Sequence, residues 1–367
     1  MKSILIKAKE QLELQLPFVL YKKPNLTTIT GIFQNNDNLF LVNDFTEKGF
    51  IFASFDGNQT VIIPENQSEV QQEEIDGNQT IFFNNTVFFT DESDQIDFKK
   101  LIANGIQSIE KEEFKKVVLS RKETVELVHF DLMTTFQNLV LSYPAAFTYC
   151  FFHPKIGIWL GASPEQLRRF DGLNFSTIAL AGTQKSIDFQ EVIWKNKEIN
   201  EQQFVTDYIV SKLEHAAENV SVSKPYSFKA GSLWHIKTDV SGTLHSDYNL
   251  QKMIRLLHPT PAVCGFPKDK SKAFILENEK YDRTFYTGFF GELNQGDIKE
   301  TEKSDLYVNL RCMEIVFSNL KNDSKQASAK AILYIGCGIT KDSIPEKEWQ
   351  ESVNKSMTMK KVLDLPI

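Results

Sequence analysis

The sequence predicts a single α/β domain built on large mixed or antiparallel sheets, and three observations support this. No linker and no shift in composition divides the 367 residues. Strand-like and helix-like runs follow one another along the whole chain, as expected of a layered domain. Phenylalanine occurs 29 times, and large aromatic side chains favour extensive sheet-on-sheet or sheet-on-helix interfaces.

The first third is predicted to be one amphipathic helix, over residues 1–16, followed by strands over residues 17–90. The sequence DGNQT occurs at 56–60 and again at 76–80. Because Asp-Gly between apolar runs is a hairpin signal, we expect two similar hairpins, not a repeat architecture. The Glu-, Gln- and Asn-rich segment 65–77 is predicted to be a solvated loop.

From residue 93 onward, apolar periodicity predicts alternating helices and strands. The predicted elements are helix 93–114, strand 115–127, helix 131–142, strand 147–153, a long helix at about 189–217, strand 233–244, helix 248–257, loop 258–268, strands within 305–317 and 330–339, and a final helix.

Composition argues against several classes of partner. The formal net charge is −7, which argues against nucleic acid as the main partner. No run approaches the ~18 apolar residues of a membrane span, and the N-terminal apolar run is broken by Lys7, Lys9 and Glu10, unlike a signal peptide. No CxxC spacing occurs, so we expect a cytoplasmic protein with reduced thiols; the four cysteines are Cys150, Cys264, Cys312 and Cys337.

The last long stretch, Tyr334–Lys355, combines a strand end with a helix start. The strand enters a Gly-Cys-Gly sequence at 336–338, where missing Cβ atoms let a ligand or a second backbone approach closely. Ser343 and Glu346 match a capping box, which predicts that a helix begins here.

Two pairs of glutamates are spaced one helical turn apart. Glu348 and Glu351 share a helix face with Lys355, and Glu198 and Glu201 have the same spacing on the long helix. One such pair also fits a solvated helix face with a Glu–Lys ion pair. Two pairs from distant helices would supply the carboxylate oxygens that Mg²⁺ uses, leaving waters for a substrate to displace. We therefore predict a Mg²⁺ site.

Nine sequence blocks, in this order, resemble those of the chorismate-utilising enzymes, which include isochorismate synthase, salicylate synthase and the component I proteins of anthranilate and aminodeoxychorismate synthases. The resemblance covers residues 114–365. It implies one chorismate-binding domain over residues 1–367, with a β-rich part at 1–92 and the motif-bearing catalytic part at 93–367. The implied fold has two large packed antiparallel sheets with helices outside and the active site between them. The blocks are KVVLSR, SPEQL, ALAGT, KEINEQ, HPTPAVCGFP, RTFYTGFFG, LRC, YIGCGI and IPEKEWQE.

Three positions bear on which member of the family this chain resembles. The loop His258–Gly265 is similar to the isochorismate synthase version. Lys116 stands where isochorismate and salicylate synthases carry lysine and the ammonia-using members carry glutamine. Ala181 stands where aminodeoxychorismate synthases carry lysine. The resemblance thus implies a Mg²⁺-dependent isomerase that converts chorismate to isochorismate for menaquinone or catecholate siderophores. Salicylate synthase is the alternative, and an amine-transferring component I a more distant one.

The implied reaction adds water at C2 while the C4 hydroxyl leaves, so it needs a base and an acid on opposite sides of the ring. Lys116 is the candidate base and must present a neutral amine, which the neighbouring cations Lys115 and Arg121 would favour. Glu165 is the candidate acid, with a pKa raised by burial, and His235 matches the family's active-site histidine. Without the resemblance, Lys116 would be interpreted as a strand-edge lysine and His235 as a packed core histidine, whereas Glu165 fits a first-turn helix glutamate equally well.

The remaining implied residues bind the metal or the substrate. Glu201 and Glu351 are the more direct metal ligands. Gln202 departs from the family, which usually has histidine there; a glutamine that makes the same hydrogen bond would change little. We expect a monomer that binds chorismate and neither nucleic acid nor membrane. The implied substrate-binding residues are Thr183, Gly336 and Gly338 for the ring carboxylate, Arg311 and Tyr334 for the enolpyruvyl carboxylate, and Ala181 and Lys355 in the same pocket.

Overall fold

The computed structural model describes residues 2–75, 92–127, 130–185, 192–230, 233–246, 248–296, 303–317 and 329–363. Within these ranges the chain forms seven α-helices and two large sheets. No helix among the residues described is both long and apolar enough to cross a bilayer.

The first sheet has nine strands, and each neighbouring pair is antiparallel. In spatial order they are β15 (Gly265–Phe266), β7 (Lys116–Leu127), β19 (Ala329–Ile339), β18 (Cys312–Phe317), β9 (Gly157–Ser163), β8 (Phe147–His153), β1 (Phe18–Lys22), β2 (Thr28–Gln34) and β6 (Ser68–Glu74).

The second sheet has ten strands and is also antiparallel throughout. Its main path is β12 (Ala217–Val222), β14 (Leu233–Leu244), β11 (Asn174–Lys185), β10 (Gln166–Asp171), β17 (Lys303–Val308), β16 (Phe289–Gln295), β4 (Gly49–Ala53), β5 (Thr60–Pro64) and β3 (Phe40–Leu41), and β13 (Tyr226–Ala230) also pairs with β14.

The helices pack outside the two sheets. The helix bounds are α1 (Lys2–Glu13), α2 (Glu92–Glu110), α3 (Leu132–Ser142), α4 (Asn196–Leu213), α5 (Leu250–Leu257), α6 (Lys268–Asn278) and α7 (Pro345–Leu363). Apolar side chains of α1, α2, α3 and α7 pack on the first sheet, and those of α4 and α5 pack on the second.

Aromatic rings fill the space between the sheets. Phe52 of β4 stacks on Phe151 of β8 with ring centroids 4.7 Å apart. Tyr149 of β8 and Phe290 of β16 are 4.4 Å apart. Each pair joins one sheet to the other, which confirms the large sheet-on-sheet interface expected from the phenylalanine content.

The N-terminal residues complete both sheets. β1, β2 and β6 belong to the first sheet, whereas β3, β4 and β5 belong to the second. The hairpin predicted at 56–60 is confirmed, since β4 and β5 pair across it; the one predicted at 76–80 lies outside the described residues. The loop predicted over 65–77 is wrong for residues 68–74, which form the polar edge strand β6 against β2.

Three helices differ from what the sequence predicted, in length, in existence or in how they begin. The long helix α4 is shorter than predicted, since it spans Asn196–Leu213. α6 was not predicted, because its apolar residues are consecutive and give no amphipathic period. The last helix begins at Pro345, two residues after Ser343, whose Oγ accepts a hydrogen bond from the Thr340 N–H at 3.1 Å.

Candidate active site

A cavity of about 140 Å³ lies where the two sheets meet α4 and α7. Eleven of the fourteen residues singled out from the sequence line it. The exceptions are Lys116, which lies directly beside it, Glu348, and Thr183, whose side chain lies outside the described part of the structure. The eleven are Glu165, Ala181, Glu198, Glu201, His235, Arg311, Tyr334, Gly336, Gly338, Glu351 and Lys355.

Lys116 opens β7 and is 1% exposed. Its Nζ lies 3.0 Å from Glu201 Oε1 on α4. Gly338 makes room for this contact, because a Cβ at that position would lie 2.7 Å from the Glu201 oxygen and 3.3 Å from Lys116 Cε. Lys116, the candidate base, and Glu201, a candidate metal ligand, therefore form an ion pair next to Gly338.

Glu165 follows β9 in the Ser-Pro-Glu sequence, and its backbone is fixed on both sides. Its N–H donates to Ser163 Oγ, and its carbonyl accepts from the Val308 N–H at 3.0 Å. Burial raises the pKa of the Glu165 carboxyl to about 7, although the positive charge of Lys116 opposes the shift. Glu165 can therefore be protonated near neutral pH, as a general acid must be.

His235 lies on β14 with its Nδ1 3.0 Å from the Gly182 carbonyl oxygen. Burial first, and the nearby Arg311 cation second, lower the pKa of this imidazole to about 4. The ring is neutral near pH 7. The carbonyl partner assigns the proton to Nδ1, so Nε2 has the lone pair of an acceptor.

Tyr286 also lines the cavity and was not predicted from the sequence. It differs from Tyr334 in the position of its hydroxyl. The Tyr334 hydroxyl donates to Glu314 Oε2 at 3.2 Å, so only its ring serves the cavity wall. The Tyr286 hydroxyl lies against Gly336, at 2.6 Å from where a Cβ there would stand. Tyr286 is therefore a further candidate for binding a substrate carboxylate, and the contact implied for Tyr334 stays a prediction. The place of Tyr286 in the RTFYTGFFG block was the signal available in the sequence.

Arg311 and Lys355 bring positive charge to the cavity wall. Arg311 follows β17, has a φ of 49°, and donates from Nη1 to the Lys355 carbonyl at 3.5 Å. Lys355 donates to the Gly336 carbonyl at 2.9 Å and pairs with Glu351 at 2.6 Å. Burial would lower the pKa of Lys355, but Glu351 outweighs it and the net shift is upward, so Lys355 stays an ammonium.

Three of the four predicted metal-binding glutamates line the cavity. Glu198, Glu201 and Glu351 line the cavity, whereas Glu348 is 2% exposed and does not. The carboxylate oxygens of Glu348 and Glu351 lie with Cys337 Sγ, all within 4.8 Å of one another. Residues one turn apart on a helix still differ by about 60° in direction, which separates Glu348 from the cavity.

These residues fit a hard divalent cation. The cavity receives carboxylates from two helices, and such oxygens are the ligands that Mg²⁺ and Mn²⁺ prefer. Lys116 Nζ lies 3.0 Å from Glu201, and Lys355 Nζ lies 2.6 Å from Glu351. Glu201 and Glu351 are the carboxylates that would hold such an ion, and Glu198 lines the same cavity.

Gln202 anchors α4 to the second sheet. Its side-chain amide is 1% exposed and donates to Thr206 Oγ1 and to Thr238 Oγ1 of β14, both at 2.8 Å. Since Gln202 follows Glu201 directly, these hydrogen bonds fix the turn that carries the glutamate. These partners lie on α4 and β14, and the expectation that glutamine makes the histidine's hydrogen bond stays a prediction.

The chain is similar to known proteins over most of its length. A family model described as chorismate binding enzyme matches residues 49–364. The chain is 28% identical over 285 residues to isochorismate synthase EntC of Escherichia coli strain K12, covering 74% of this chain and 68% of EntC. It is 27% identical over 283 residues to isochorismate synthase MenF of Pasteurella multocida strain Pm70, covering 74% of this chain and 62% of that protein.

A solved structure shows the same fold. The menaquinone-specific isochorismate synthase MenF from Escherichia coli superposes with a TM-score of 0.78 at 18% identity, covering 99% of this chain and 91% of that one. The predicted fold of two packed antiparallel sheets with outer helices is confirmed.

Proposed function

The chain belongs to the chorismate-binding enzyme family, and on that premise we propose that it is an isochorismate synthase that depends on Mg²⁺. The observation that carries the proposal is that two buried candidate proton-transfer groups lie at one cavity: Glu165, with a pKa of about 7, and Lys116, whose Nζ lies 3.0 Å from Glu201 Oε1. The similarity to EntC and MenF points in the same direction.

The proposed reaction exchanges one water for another. Lys116 would act in its neutral form, in which its contact with Glu201 is a hydrogen bond and no longer an ion pair. As an amine it takes a proton from water while the water oxygen bonds to C2 of chorismate. The C4–O bond breaks as Glu165 gives its proton to the leaving hydroxyl, which departs as water. The double bonds shift within the ring, and no redox step occurs. Lys116 ends as an ammonium and Glu165 as a carboxylate, and one proton transfer resets both.

Substrate orientation would come from the cations and hydroxyls of the cavity wall. Arg311 and the Tyr286 hydroxyl offer donors to the enolpyruvyl carboxylate, and a guanidinium binds a carboxylate in bidentate fashion. Gly336 and Gly338, which line the cavity, are the residues implied for the ring carboxylate. A divalent cation held by Glu201 and Glu351 would neutralise that carboxylate and act as a Lewis acid.

Product analysis tests the proposal directly. The purified protein is incubated with chorismate and Mg²⁺, with and without ammonium, and the products are separated by liquid chromatography. We expect isochorismate in both cases. Salicylate with pyruvate would indicate a salicylate synthase, which shares Lys116, and an ammonium-dependent aminated product would indicate an amine-transferring enzyme. The Glu165→Gln protein serves as the control for conversion without enzyme.

We propose that the isochorismate supplies menaquinone or catecholate siderophore synthesis, and the genes adjacent to this one decide between them.

A further inference from the structure

Arg121 is a buried arginine outside the cavity that holds α7 against β7. It is 5% exposed, and its guanidinium carbon lies 4.5 Å from the centre of the Trp349 ring. Its Nε donates to Ser352 Oγ at 2.9 Å.

The sequence suggested that Arg121 would help to activate Lys116. That expectation is wrong, because the two are an odd number of residues apart on an unbroken strand and so face opposite sides of it.

The two contacts of Arg121 lie on the turn of α7 that carries the glutamates. Trp349 directly follows Glu348, and Ser352 directly follows Glu351. Ser352 Oγ in turn donates to the Trp349 carbonyl at 2.7 Å, so the two residues that contact Arg121 are also hydrogen-bonded to each other. A planar guanidinium that stacks on a ring and donates to a hydroxyl fixes direction as well as distance.

A second buried contact ties α7 to β7 farther along the helix. Glu123 lies 3.0 Å from Arg121 Nη2 through Oε2 and pairs with Lys360 through Oε1. All three side chains are 5% exposed or less. Lys360 is more than two turns from Glu351, so it joins the same buried group without touching the glutamate-bearing turn.

We infer that Arg121 is a positioning residue for divalent-metal binding: it orients the turn of α7 that carries Glu348 and Glu351, and so sets the affinity of the cavity for the metal. The inference rests on the proposed Mg²⁺-dependent function. Strand β7 would then serve the site from both faces, with Lys116 directed to the cavity and Arg121 holding the helix that supplies a metal ligand.

The test compares Arg121→Met with Lys360→Met. Each variant leaves Glu123 paired with one remaining cation, so the two make similar changes to the buried group. Mn²⁺ affinity is measured by the loss of the free-ion electron paramagnetic resonance signal, and Tm is measured alongside. We expect Arg121→Met to weaken Mn²⁺ binding by about 10–100-fold, the usual effect of removing a residue that orients a metal ligand, with kcat largely kept at saturating Mn²⁺. Lys360→Met should lower Tm and leave the Mn²⁺ affinity unchanged.

Ser352→Ala provides a second variant if Arg121→Met does not fold. It removes the acceptor of Arg121 Nε, together with the hydrogen bond from Ser352 to the Trp349 carbonyl, and keeps the stacking of Arg121 on Trp349. It should weaken Mn²⁺ binding in the same direction by a smaller factor. Equal Mn²⁺ affinities for the wild type and for whichever of these variants folds would overturn the inference, as would equal losses in the Lys360→Met protein. A wild-type protein that binds no Mn²⁺ would instead contradict the proposed function, so the two failures are distinguishable.

Discussion

Lys116 Nζ and Glu201 Oε1 are 3.0 Å apart, and this ion pair joins the two halves of the molecule. Lys116 belongs to β7 of the first sheet, and Glu201 to α4, which packs on the second. A group proposed to move a proton and a group proposed to hold a metal are thus fixed relative to each other across the cavity. Changes that separate them should cost activity before they cost stability.

Gly338→Ala is the smallest such change. The new Cβ would lie 2.7 Å from the Glu201 oxygen, so the carboxylate must move away from Lys116. We expect kcat/KM to fall by about 10²-fold, the scale of a misplacement near 1 Å, while Tm changes little. Gly105→Ala, on α2 where the nearest atom is a flexible Leu119 methyl, is the control and should keep full activity. An active Gly338→Ala enzyme would contradict the importance of this pair.

The acid role of Glu165 predicts how the rate depends on pH. Burial raises the pKa of its carboxyl from 4.5 to about 7, and the reaction needs the protonated form. The kcat/KM should therefore decline above about pH 7, by about tenfold per pH unit once the carboxyl is ionised. Glu165→Gln should retain binding of chorismate and lose about 10²–10⁴ in kcat. A profile that stays flat from pH 7 to pH 9 would argue against Glu165 as the acid.

The same carboxyl also affects folding. Its pKa is higher in the folded state than in the unfolded state, so between about pH 4.5 and pH 7 the folded protein holds a proton that the unfolded chain has released. The free energy of unfolding should therefore fall as pH rises through this window, by about 3 kcal/mol from this group alone, and level off above it. Denaturant titrations of the wild type and Glu165→Gln at pH 5 and pH 7.5 measure the difference, which the variant should lack.

Ordered motifs predicted the fold and most of the site, because they reflect backbone positions that the chemistry constrains. Gly336, Gly338 and the glutamate spacing could be recognised from the sequence, and the structure places them at one cavity. Side-chain direction could not be recognised in the same way. Tyr334 and Tyr286 are both buried tyrosines of motif blocks, and only the packing of Tyr334 against Glu314 shows which hydroxyl remains at the cavity.

The fold elements that were missed have weak local signals. β6 is made almost entirely of polar residues, so its pairing with β2 at the sheet edge overrides its low strand propensity. α6 buries only Ser271 and Ile275, and a helix that buries so little shows no apolar stripe in its sequence. Both elements depend on tertiary contacts that a single segment does not encode.

Activity should require a divalent metal held by Glu201 and Glu351. Glu201→Gln and Glu351→Gln each remove one carboxylate charge while keeping the shape of the side chain. We expect each to lower kcat/KM by about 10²-fold or more, because Lewis-acid stabilisation is worth several kcal/mol, and to bind Mn²⁺ more weakly. Glu314→Gln is the control, since this carboxylate contacts Tyr334 and does not line the cavity. Full turnover in the presence of EDTA would rule out the metal.

Gln202 should matter for metal binding, although it touches neither metal nor substrate. Gln202→Leu leaves the hydroxyls of Thr206 and Thr238 without their donor and loosens the turn that carries Glu201. We expect a loss of about 1–3 kcal/mol in the free energy of unfolding and a weaker affinity for Mn²⁺. Gln203→Leu is the matched control, because the neighbouring amide is exposed and bonds only Asp207 in the described contacts. Equal Mn²⁺ affinities in the two variants would show that Gln202 has no such role.

The most discriminating prediction concerns Lys116, the residue that separates water chemistry from ammonia chemistry in the resemblance. Lys116→Gln removes the amine that takes the proton and keeps a polar group of similar length. Water addition should fall by about 10²–10⁴, the contribution of a general base, while Mn²⁺ and chorismate still bind. Lys115→Gln is the control: Lys115 is exposed and lies over the Phe266 ring, and strand alternation directs it away from Lys116. Both variants are assayed for isochorismate at saturating Mg²⁺. Loss of activity in Lys115→Gln alone, or in neither variant, would place the base elsewhere and weaken the isochorismate assignment with it.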